Sequence, residues 1–389
     1  MKVNKEAILV LGGTGATGLH VLNALRTLIP DVPLVIGTRD PERAGQREGV
    51  EAVLWDADMP QERAAAIFKQ YRLVVSCLGP SSRFSTQVQR LCLDAGVDCI
   101  DVNDDPLTAK RILALWPEAA ERDVRIFTCM GMNPGLSTYL HHILRERLLG
   151  PEGTEALAHT QVCVFSGADE DAGLAATHTM LDCLTPQVTV LRNETACEVT
   201  ADDSDNAAFF RFPGHGTKLF TAQCSSAEPI LLEQAAAYAA RFPNLANTTQ
   251  APAGVVKNAT YRMHFQGMPR AMSSWLRKSK LLRKPRVRAP LAKFFLKMHE
   301  KARKQPGNLR RSTISIFGEH NETRGVVSAT GSTVFGMTAA FTAAVARLYL
   351  EHPEAIPPGV HMAHTCWAPP GTILPLLRQM GIKVCHVTL

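Results

Sequence analysis

The chain of 389 residues has no long hydrophobic run and few aromatic residues, which make up 6% of it. No stretch reaches the roughly 18 uninterrupted apolar residues of a membrane-spanning helix. The best candidate, 334–350, is interrupted by threonines and by Arg347. Residues 1–13 contain only a brief apolar stretch before two glycines, which predicts a strand and a turn rather than a signal peptide. We therefore expect a cytoplasmic protein.

Three sequence patterns that would define a chemistry are also missing. The ten cysteines are irregularly spaced and include no C-x-x-C pair, so we expect reduced, buried thiols rather than a disulfide framework. None of the five tyrosines is followed four places later by a lysine, which excludes short-chain dehydrogenase chemistry. His361, His364 and Cys366 lack a fourth ligand at a useful spacing, so we predict no metal site.

The composition is otherwise that of an ordinary globular protein, with 46% hydrophobic and 20% charged residues. At about 150 residues per domain, the length predicts two or three domains. Before residue 131, six short apolar segments alternate with stretches of helical periodicity. Strands and helices that alternate in this way indicate βαβ units and a parallel sheet. The fold class predicted is α/β: a doubly wound parallel Rossmann sheet, interrupted by an α+β substrate domain after the turn at 134–135.

A glycine-rich turn lies between the first predicted strand and the first predicted helix. It has the pattern G-x-G-x-x-G, formed by Gly13, Thr14, Gly15, Ala16, Thr17 and Gly18. We expect Gly13 to make the tight turn, Gly15 to let backbone N–H groups approach a pyrophosphate, and Gly18 to let helix and strand pack closely. The partial positive charge at the helix N-terminus favours a phosphate. The turn therefore predicts dinucleotide binding.

The end of the second predicted strand distinguishes the two nicotinamide cofactors. NAD-binding proteins normally have Asp or Glu here, which binds the ribose hydroxyls. This chain has Thr38, which carries no charge to repel a 2′-phosphate, and Arg39, whose planar guanidinium can bind one. The alternative is that Arg39 is a solvated loop residue and Asp40 caps the next helix. We predict NADP(H), bound in part by Thr38 and Arg39, with Asp56 added to the cofactor site.

Several further segments resemble saccharopine dehydrogenase-like (saccharopine reductase) proteins. Residues 74–80, VVSCLGP, resemble the fourth strand of that family and its Gly-Pro turn. Residues 89–104, QRLCLDAGVDCIDVND, resemble the family's "ACLEAGVHYVDLSGE" stretch. Residues 131–137, GMNPGLS, resemble its "GFDPGLS" hinge into the second domain, and residues 358–382 resemble its C-terminal turn and helix.

This resemblance implies a Rossmann domain that is interrupted by a second domain. The layout expected is 1–135 plus 335–389 for dinucleotide binding, and 136–334 as an α+β substrate and dimerisation domain. The positions implied along the dinucleotide are Cys77, Leu78, Gly79, Pro80, Val102 and Asn103. Those implied beside the nicotinamide and the substrate are Asn133, Pro134, Gly135 and Ser137.

Three side chains are candidates for acid–base or substrate-binding duty. Asp101 follows an apolar strand at its C-terminal end, where open α/β sheets bind ligands. Cys129 stands next to the hinge, with a buried thiol as the alternative. His141 lies on a helix just after the hinge, with a satisfied surface or interface histidine as the alternative.

A basic segment, 270–311, contains 15 lysines and arginines and one acid, Glu300, whereas the rest of the chain has 27 basic and 35 acidic residues. Apolar residues, among them Trp275 and Phe294, are interleaved with the basic ones. We expect the solvated face of packed helices, whose charged side chains extend into water over buried stems. An acidic substrate or an anionic membrane surface are alternatives, and we predict no nucleic-acid partner. Pro285 and Pro290 interrupt the helical pattern.

The function expected from the turn and the resemblance is that of an NADP(H)-dependent oxidoreductase. The family reduces or oxidises a C–N bond, in an imine, secondary amine or opine-like amino acid, by hydride transfer. We expect such a small-molecule substrate and a homodimer. The alternative is a non-catalytic NADP-binding redox sensor or scaffold of the NmrA-like kind, because the glycine turn resembles that of those proteins too.

Overall fold

Two units, each with its own sheet, make up the described part of the chain. The computed structural model describes residues 6–45, 50–150, 153, 155–167, 177–178, 181–182, 184–204, 206–241, 254–264, 270–279, 285–304 and 311–388. Unit 1 comprises Met1–Leu136, Thr338–Ala363 and Trp367–Met380. Unit 2 comprises Ser137–Met337, His364–Cys366 and Gly381–Leu389.

Unit 1 contains a sheet of seven strands in which every pair is parallel. The strands are β1 (Ile8–Leu11), β2 (Leu34–Thr38), β3 (Glu51–Leu54), β4 (Leu73–Ser76), β5 (Asp98–Asp101), β6 (Arg125–Phe127) and β16 (Gly359–His361). Their order, β16-β6-β5-β4-β1-β2-β3, reverses direction between β1 and β4. Open α/β sheets bind ligands at such a reversal, outside the carboxyl ends of the strands. The Rossmann fold class is therefore confirmed.

The helices of unit 1 follow the buried apolar spacing of the sequence. Their bounds are Ala16–Leu28, Pro41–Gly45, Gln61–Phe68, Ser81–Phe84, Gln87–Ala95, Pro106–Leu113, Trp116–Glu121 and Pro370–Gln379. The Ala16–Leu28 helix buries Val21, Leu22, Leu25 and Leu28, one stripe of a 3.6-residue period. Residues 106–121 form two helices rather than one, because Pro117 has no N–H for a continuing backbone hydrogen bond and occupies the first turn of the second helix.

Unit 2 contains a mixed sheet. Its strands are β7 (Leu157–Phe165), β8 (Gln187–Arg192), β9 (Thr195–Thr200), β12 (Ala222–Gln223), β13 (Val256–His264), β14 (Ser312–His320), β15 (Thr323–Gly331) and β17 (Lys383–Thr388). β7 and β13 are parallel, while the other pairs are antiparallel. A separate hairpin joins β10 (Phe209–Phe210) to β11 (Leu219–Phe220). This agrees with the α+β architecture expected for the second region.

The remaining longer helices are Glu228–Arg241, Arg270–Ser279 and Pro285–Arg303 in unit 2, and Leu136–Leu149 and Val334–Glu351, which each have residues in both units. The prolines of the basic segment do not end its helix. Pro285 is the first residue of Pro285–Arg303, where the missing N–H would have no intrahelical partner, and Pro290 lies inside the helix. Residues 280–284 and 305–310 of the basic segment lie outside the described residues.

The last strand differs from the expected division of the chain. β17 pairs with β15 over 325–330, so residues 383–388 complete the sheet of unit 2 rather than the Rossmann sheet. His364–Cys366 also fall in unit 2, whereas Thr338–Ala363 fall in unit 1. The placement of β17 depends on pairing with a strand that is distant in the sequence, because nothing in residues 381–389 alone selects one sheet over the other. The assignment of a substrate and dimerisation role to 136–334 stays a prediction.

Two features, a membrane-spanning helix and a disulfide bond, are absent from the described residues. None of their helices is long and apolar enough to cross a membrane. The cysteines among them, nine of the ten in the sequence, are all free thiols.

Candidate functional site

The glycine turn joins β1 to the Ala16–Leu28 helix and needs a glycine that the sequence analysis left out. Gly12, not Gly13, has the positive φ of the tight turn, +73°. A Cβ on Gly12 would lie 2.8 Å from the Cys77 backbone oxygen. On Gly18 it would lie 2.2 Å from the oxygen of Gly12, so the close packing expected of Gly18 is present. Gly13 is restricted less, by the Ile36 side chain at 3.1 Å.

The rim of this turn is open where a pyrophosphate would bind. Thr14 and Gly15 are exposed, and Ala16 and Thr17 are half-buried. Gly15 caps the helix, no side chain bonds to the N–H groups of the first turn, and that turn carries no acidic residue. Orphan N–H groups and the helix dipole together attract an anion. The residues present therefore fit a dinucleotide phosphate.

The residues predicted to select the cofactor lie at the neighbouring strand ends. Thr38 ends β2, and its hydroxyl accepts a hydrogen bond from the Asp40 N–H at 3.2 Å. Arg39 follows and is exposed, so its guanidinium is available to a phosphate. Asp56, after β3, is half-buried and closes its own turn by accepting from the Asp58 N–H at 2.8 Å. Nothing in this geometry gives Asp56 a role toward a ligand.

The segment after β4 lies against the glycine turn. The Cys77 N–H donates to the Leu11 oxygen at 2.9 Å, which continues the β1–β4 ladder past Ser76. Burial, and secondly the charge of Asp101, raise the pKa of Cys77 to about 12, so its thiol stays protonated. Leu78 and Pro80 are half-buried, Gly79 is exposed, and the Gly79–Pro80 peptide is cis. These positions line the carboxyl edge of the sheet, as the resemblance implies.

Asp101, the last residue of β5, organises that edge. Its Oδ1 accepts from the Asn103 N–H at 2.9 Å, the Thr128 hydroxyl at 3.0 Å and the Cys129 N–H at 3.0 Å. Its Oδ2 accepts from the Gln89 amide at 2.8 Å. Burial raises the pKa of this carboxyl, and the hydrogen bonds oppose that rise without cancelling it. Oδ1 is saturated by these donors, whereas Oδ2 keeps acceptor capacity.

Cys129 belongs to the same cluster but does not present a reactive thiolate. Its side chain is fully buried, and its Sγ lies 3.5 Å from the Asn103 amide nitrogen. Burial, followed by the charge of Asp101, raises the pKa of Cys129 well above its usual value. A thiol that stays protonated is a poor nucleophile. Asn103 is buried and bridges Asp101, Cys129 and the Asp105 turn, while Val102 is half-buried.

The hinge segment is a tight loop tied to the C-terminal part of unit 1. Gly135 has φ +117°, and a Cβ there would lie 2.4 Å from the Gly131 oxygen. The Leu136 N–H donates to the Gly131 oxygen at 2.9 Å, and the Met132 N–H donates to the Thr338 hydroxyl at 3.1 Å. The segment includes the cis Asn133–Pro134 peptide, with Asn133 half-buried and Pro134 buried.

A small pocket opens at the carboxyl ends of β4 and β5. Its lining combines hydroxyl, amide and carboxylate groups with apolar side chains, and includes Ser76, Leu78, Ser81, Phe84, Ser85, Val88, Gln89, Asp101, Val102, Asn103, Thr108 and Ile112. The Ser81 hydroxyl donates to Asp104 at 2.8 Å. Four of the predicted site residues thus lie around one opening in unit 1: Leu78, Asp101, Val102 and Asn103.

His141 and Ser137 are buried in unit 2, where His141 is fully hydrogen-bonded. Its Nδ1 lies 2.9 Å from Glu228 Oε1 and 3.1 Å from the Ser137 oxygen, and its Nε2 lies 2.9 Å from the Thr160 hydroxyl. The exposed surface is 0% for His141 and 1% for Glu228. This is the geometry of a satisfied core histidine, the alternative raised from the sequence. The catalytic role of His141 stays a prediction.

The histidines near the C-terminus form no metal centre among the residues that the structure describes. His361 is buried in unit 1 against Phe127, with ring centroids 5.2 Å apart. Burial lowers the pKa of His361 to about 4 and that of His364 to about 3, so both are neutral at pH 7. His364 Nδ1 accepts from the Cys366 N–H at 3.0 Å. The ring of His364 lies 4.1 Å from that of His142.

The comparison that decides the identity of unit 1 covers β1 to β6. Residues 8–126 match the family described as the saccharopine dehydrogenase NADP binding domain. Unit 1 contains a saccharopine dehydrogenase NADP-binding domain. The resemblance read from the sequence is confirmed for that part of the chain, and so is the prediction of NADP(H) as the cofactor.

The whole chain shares its fold with a solved structure. Apo saccharopine dehydrogenase (L-Glu forming) from Saccharomyces cerevisiae is 12% identical, with a TM-score of 0.61 over 99% of this chain and 100% of that one. The DAP dehydrogenase of C. glutamicum in complex with DAP is 12% identical, with a TM-score of 0.44 over 97% and 96% of the two chains. No curated protein matches the sequence. The chain is thus an NADP-binding protein with a saccharopine dehydrogenase-like fold.

Several residues that support the predicted site residues were not predicted from the sequence. Gln89 and Thr128 hold Asp101: Gln89 begins the 89–104 segment, where nothing in the pattern pairs it with Asp101, and Thr128 lies outside that segment. Gly12 was within reach, because it directly precedes the glycine pattern and follows a buried strand. Glu228 was not, because it is 87 residues from His141 and only the fold brings the two together.

Proposed function

We propose that this protein is an NADP(H)-dependent oxidoreductase that acts on a C–N bond by hydride transfer. The substrate class is an imine or secondary amine of the opine-like amino acid type. The observation that carries the proposal is the pairing of an NADP-binding domain with a chain-long fold shared with a saccharopine dehydrogenase. Cofactor identity and overall fold thus both favour amino-acid redox chemistry.

The chain's own residues would bind and orient the cofactor. The first-turn N–H groups after Gly15 would hold the pyrophosphate, and Arg39 the 2′-phosphate. When bound, the cofactor supplies the hydride, so the protein has to exclude water, orient the substrate and move one proton. Asp101 is our candidate for that proton or for a substrate ammonium, through Oδ2, which has one donor, Gln89. Asn133, Pro134, Gly135 and Ser137 remain proposed substrate contacts.

The test is a redox assay on the full chain. NADPH oxidation is followed at its absorbance band with pairs of an amino acid and an oxo acid, and NADP⁺ reduction is followed with opines. We expect turnover with at least one pair, and a slower rate in Asp101→Asn at unchanged NADPH affinity. Stoichiometric NADPH binding with no turnover across the whole set contradicts the proposal.

That negative outcome would favour the second candidate function, a non-catalytic NADP-binding sensor or scaffold. One observation supports it: the side chains proposed for catalysis are nearly or fully buried. Exposed surface is 4% for Asp101 and 0% for both Cys129 and His141. A sensor needs the glycine turn and Arg39 but no access to a proton donor. Comparing NADPH with NADP⁺ affinity distinguishes a redox sensor, which prefers one form, from a scaffold.

We also propose a cytoplasmic homodimer in which residues 136–334 provide the substrate and dimer surfaces. Support comes from the free thiols among the described residues and from the separate sheet of unit 2. Light scattering coupled to size exclusion gives the mass directly. A monomer at micromolar concentration rules the dimer out.

A further inference from the structure

The two helices of the basic segment each expose an aromatic side chain on a basic face. Trp275 is 56% exposed on Arg270–Ser279, and Phe294 is 53% exposed on Pro285–Arg303. They are among the few large hydrophobic side chains that the described chain leaves in water. A solvated charged face over packed stems, which the sequence predicts, does not account for two exposed aromatic rings.

The inner face of the first helix is fixed in unit 2. Ser273, Leu276 and Arg277 are buried. The Arg277 guanidinium donates to the Thr185 oxygen at 3.0 Å, and its Nε lies 3.3 Å from Asp203. Since residues 273, 276 and 277 occupy one side, Trp275 and Lys278 project from the other. The exposure of Trp275 thus results from how the helix is anchored.

The second helix is built the same way. Ala292 and Phe295 are buried, and Arg288 bonds to Asp182. Exposed basic residues and one aromatic residue recur at helical spacing and form one stripe, Arg286, Lys293, Phe294, Lys297 and Lys301, and exposed Lys304 follows the end of the helix. Glu300 is the one acidic residue within the helix. The stripe therefore combines a concentrated positive charge with one exposed aromatic ring.

We propose that the exposed sides of these two helices, Trp275 on Arg270–Ser279 and the stripe on Pro285–Arg303, dock on an anionic membrane surface. Lysines near an anionic bilayer each contribute about 1 kcal/mol of attraction. Aromatic rings favour the headgroup level, where one edge is apolar and the other wet. Helices with a basic face and an apolar face lie in the plane of the interface rather than across it.

Charge distribution selects this occupant over others. The rest of the chain carries a net charge of −8, so the basic segment is the part whose net charge is complementary to an anionic surface. A nucleic acid would satisfy the lysines equally well, but an exposed Phe294 beside Lys293 and Lys297 gains more from acyl chains than from phosphates. The proposal is independent of the proposed function, because it concerns binding to lipid and no redox step.

The test is co-sedimentation of the full chain with vesicles of phosphatidylcholine, with or without phosphatidylglycerol. We expect binding to the anionic vesicles that weakens strongly at high salt, and little binding to the neutral ones. The triple variant K293Q/K297Q/K301Q should bind about 100-fold more weakly, at about 1 kcal/mol per lysine. The matched control K69Q/K110Q/K257Q removes three exposed lysines outside the segment and should bind like the unmodified protein.

A fluorescence measurement tests whether Trp275 contacts the bilayer, without relying on the lysine variants. The chain has four tryptophans, of which Trp55 and Trp367 are buried and Trp116 is half-buried. Anionic vesicles with brominated acyl chains should quench the emission of Trp275, and this quenching should disappear in Trp275→Phe. Equal binding to neutral and anionic vesicles overturns the proposal, as does an equal loss in the control triple. Tighter binding to a nucleic-acid duplex than to anionic vesicles at the same salt also overturns it.

Discussion

The sheets of the two units differ in where they place their buried polar groups. In unit 1 the strand interiors are apolar, as in Ile8–Leu11, and a cluster around Asp101 gathers at the carboxyl edge. In unit 2 polar pairs lie within the sheet itself, such as Ser315 and Ser328 with hydroxyls 2.8 Å apart. A largely apolar parallel sheet is stabilised by its backbone hydrogen bonds and by side-chain burial, so the polar side chains at its carboxyl edge are available to a ligand.

The polar core of unit 2 makes that unit dependent on paired charges. Arg262 and Arg277 are 3% and 7% exposed, and both approach Asp203 at 3.3 Å. Arg262 also donates to the Asp202 oxygen at 2.9 Å. Buried charges of this kind destabilise a fold severely when one partner is removed. The polar cluster around Asp101 in unit 1 thus lies at the candidate site, whereas the buried charge cluster around Asp203 in unit 2 has a structural role.

The largest expected effect comes from breaking the charge cluster of unit 2. Asp203→Asn leaves two buried guanidinium groups without their carboxylate, and we expect a loss of about 3–5 kcal/mol of unfolding free energy. Hydrogen exchange of peptides from β13 measures this for unit 2 separately. The control, Glu351→Gln, removes the exposed pair between Arg347 and Glu351, and should cost about 0–1 kcal/mol. Equal small losses would show that the buried cluster is not needed.

The next effect is at the glycine turn of unit 1. Gly18→Ala places a Cβ 2.2 Å from the Gly12 oxygen, and since that oxygen is a backbone atom the turn has to shift. We expect about 3 kcal/mol of destabilisation and a loss of NADPH binding of about 100-fold, measured by thermal unfolding and by fluorescence titration. Gly371→Ala, where no atom lies within 4 Å of the new Cβ, is the matched control. Normal NADPH binding by Gly18→Ala would remove the turn from the cofactor site.

The smallest expected effect concerns the selectivity of the cofactor site for NADPH over NADH. Arg39→Ala removes one charged hydrogen-bond donor from the proposed 2′-phosphate contact, worth about 2 kcal/mol. We expect NADPH affinity to fall about 30-fold and NADH affinity to stay unchanged, by calorimetric titration. Lys69→Ala, an exposed lysine of the same unit, should change neither affinity. An equal loss for both cofactors would mean that Arg39 does not read the phosphate.

More of unit 1 than of unit 2 could be predicted from the sequence, because the signals in unit 1 are local. The glycine turn, the apolar strands and Thr38–Arg39 are local signals, so the Rossmann sheet and its cofactor edge could be predicted from residues 7–40 and the segments that follow. The support of Asp101 could not, because Gln89 and Thr128 are 12 and 27 residues away. In unit 2, local sequence reaches no further than neighbouring strands such as β14 and β15, which pair over 312–320 and 323–331. It could not predict the pairing of β7 with both β13 and β14.

The sequence by itself determined the class of the first unit, the phosphate-binding turn and the preference for NADP(H), because each depends on residues close together in the chain. The tertiary structure decided what long-range pairing controls. It placed residues 383–388 on β15, gave the tight turn to Gly12, and buried His141 against Glu228. It also decided which side of each basic helix is anchored, and hence that Trp275 and Phe294 remain in water. Side-chain burial depends on what packs against a helix, which its own residues do not specify.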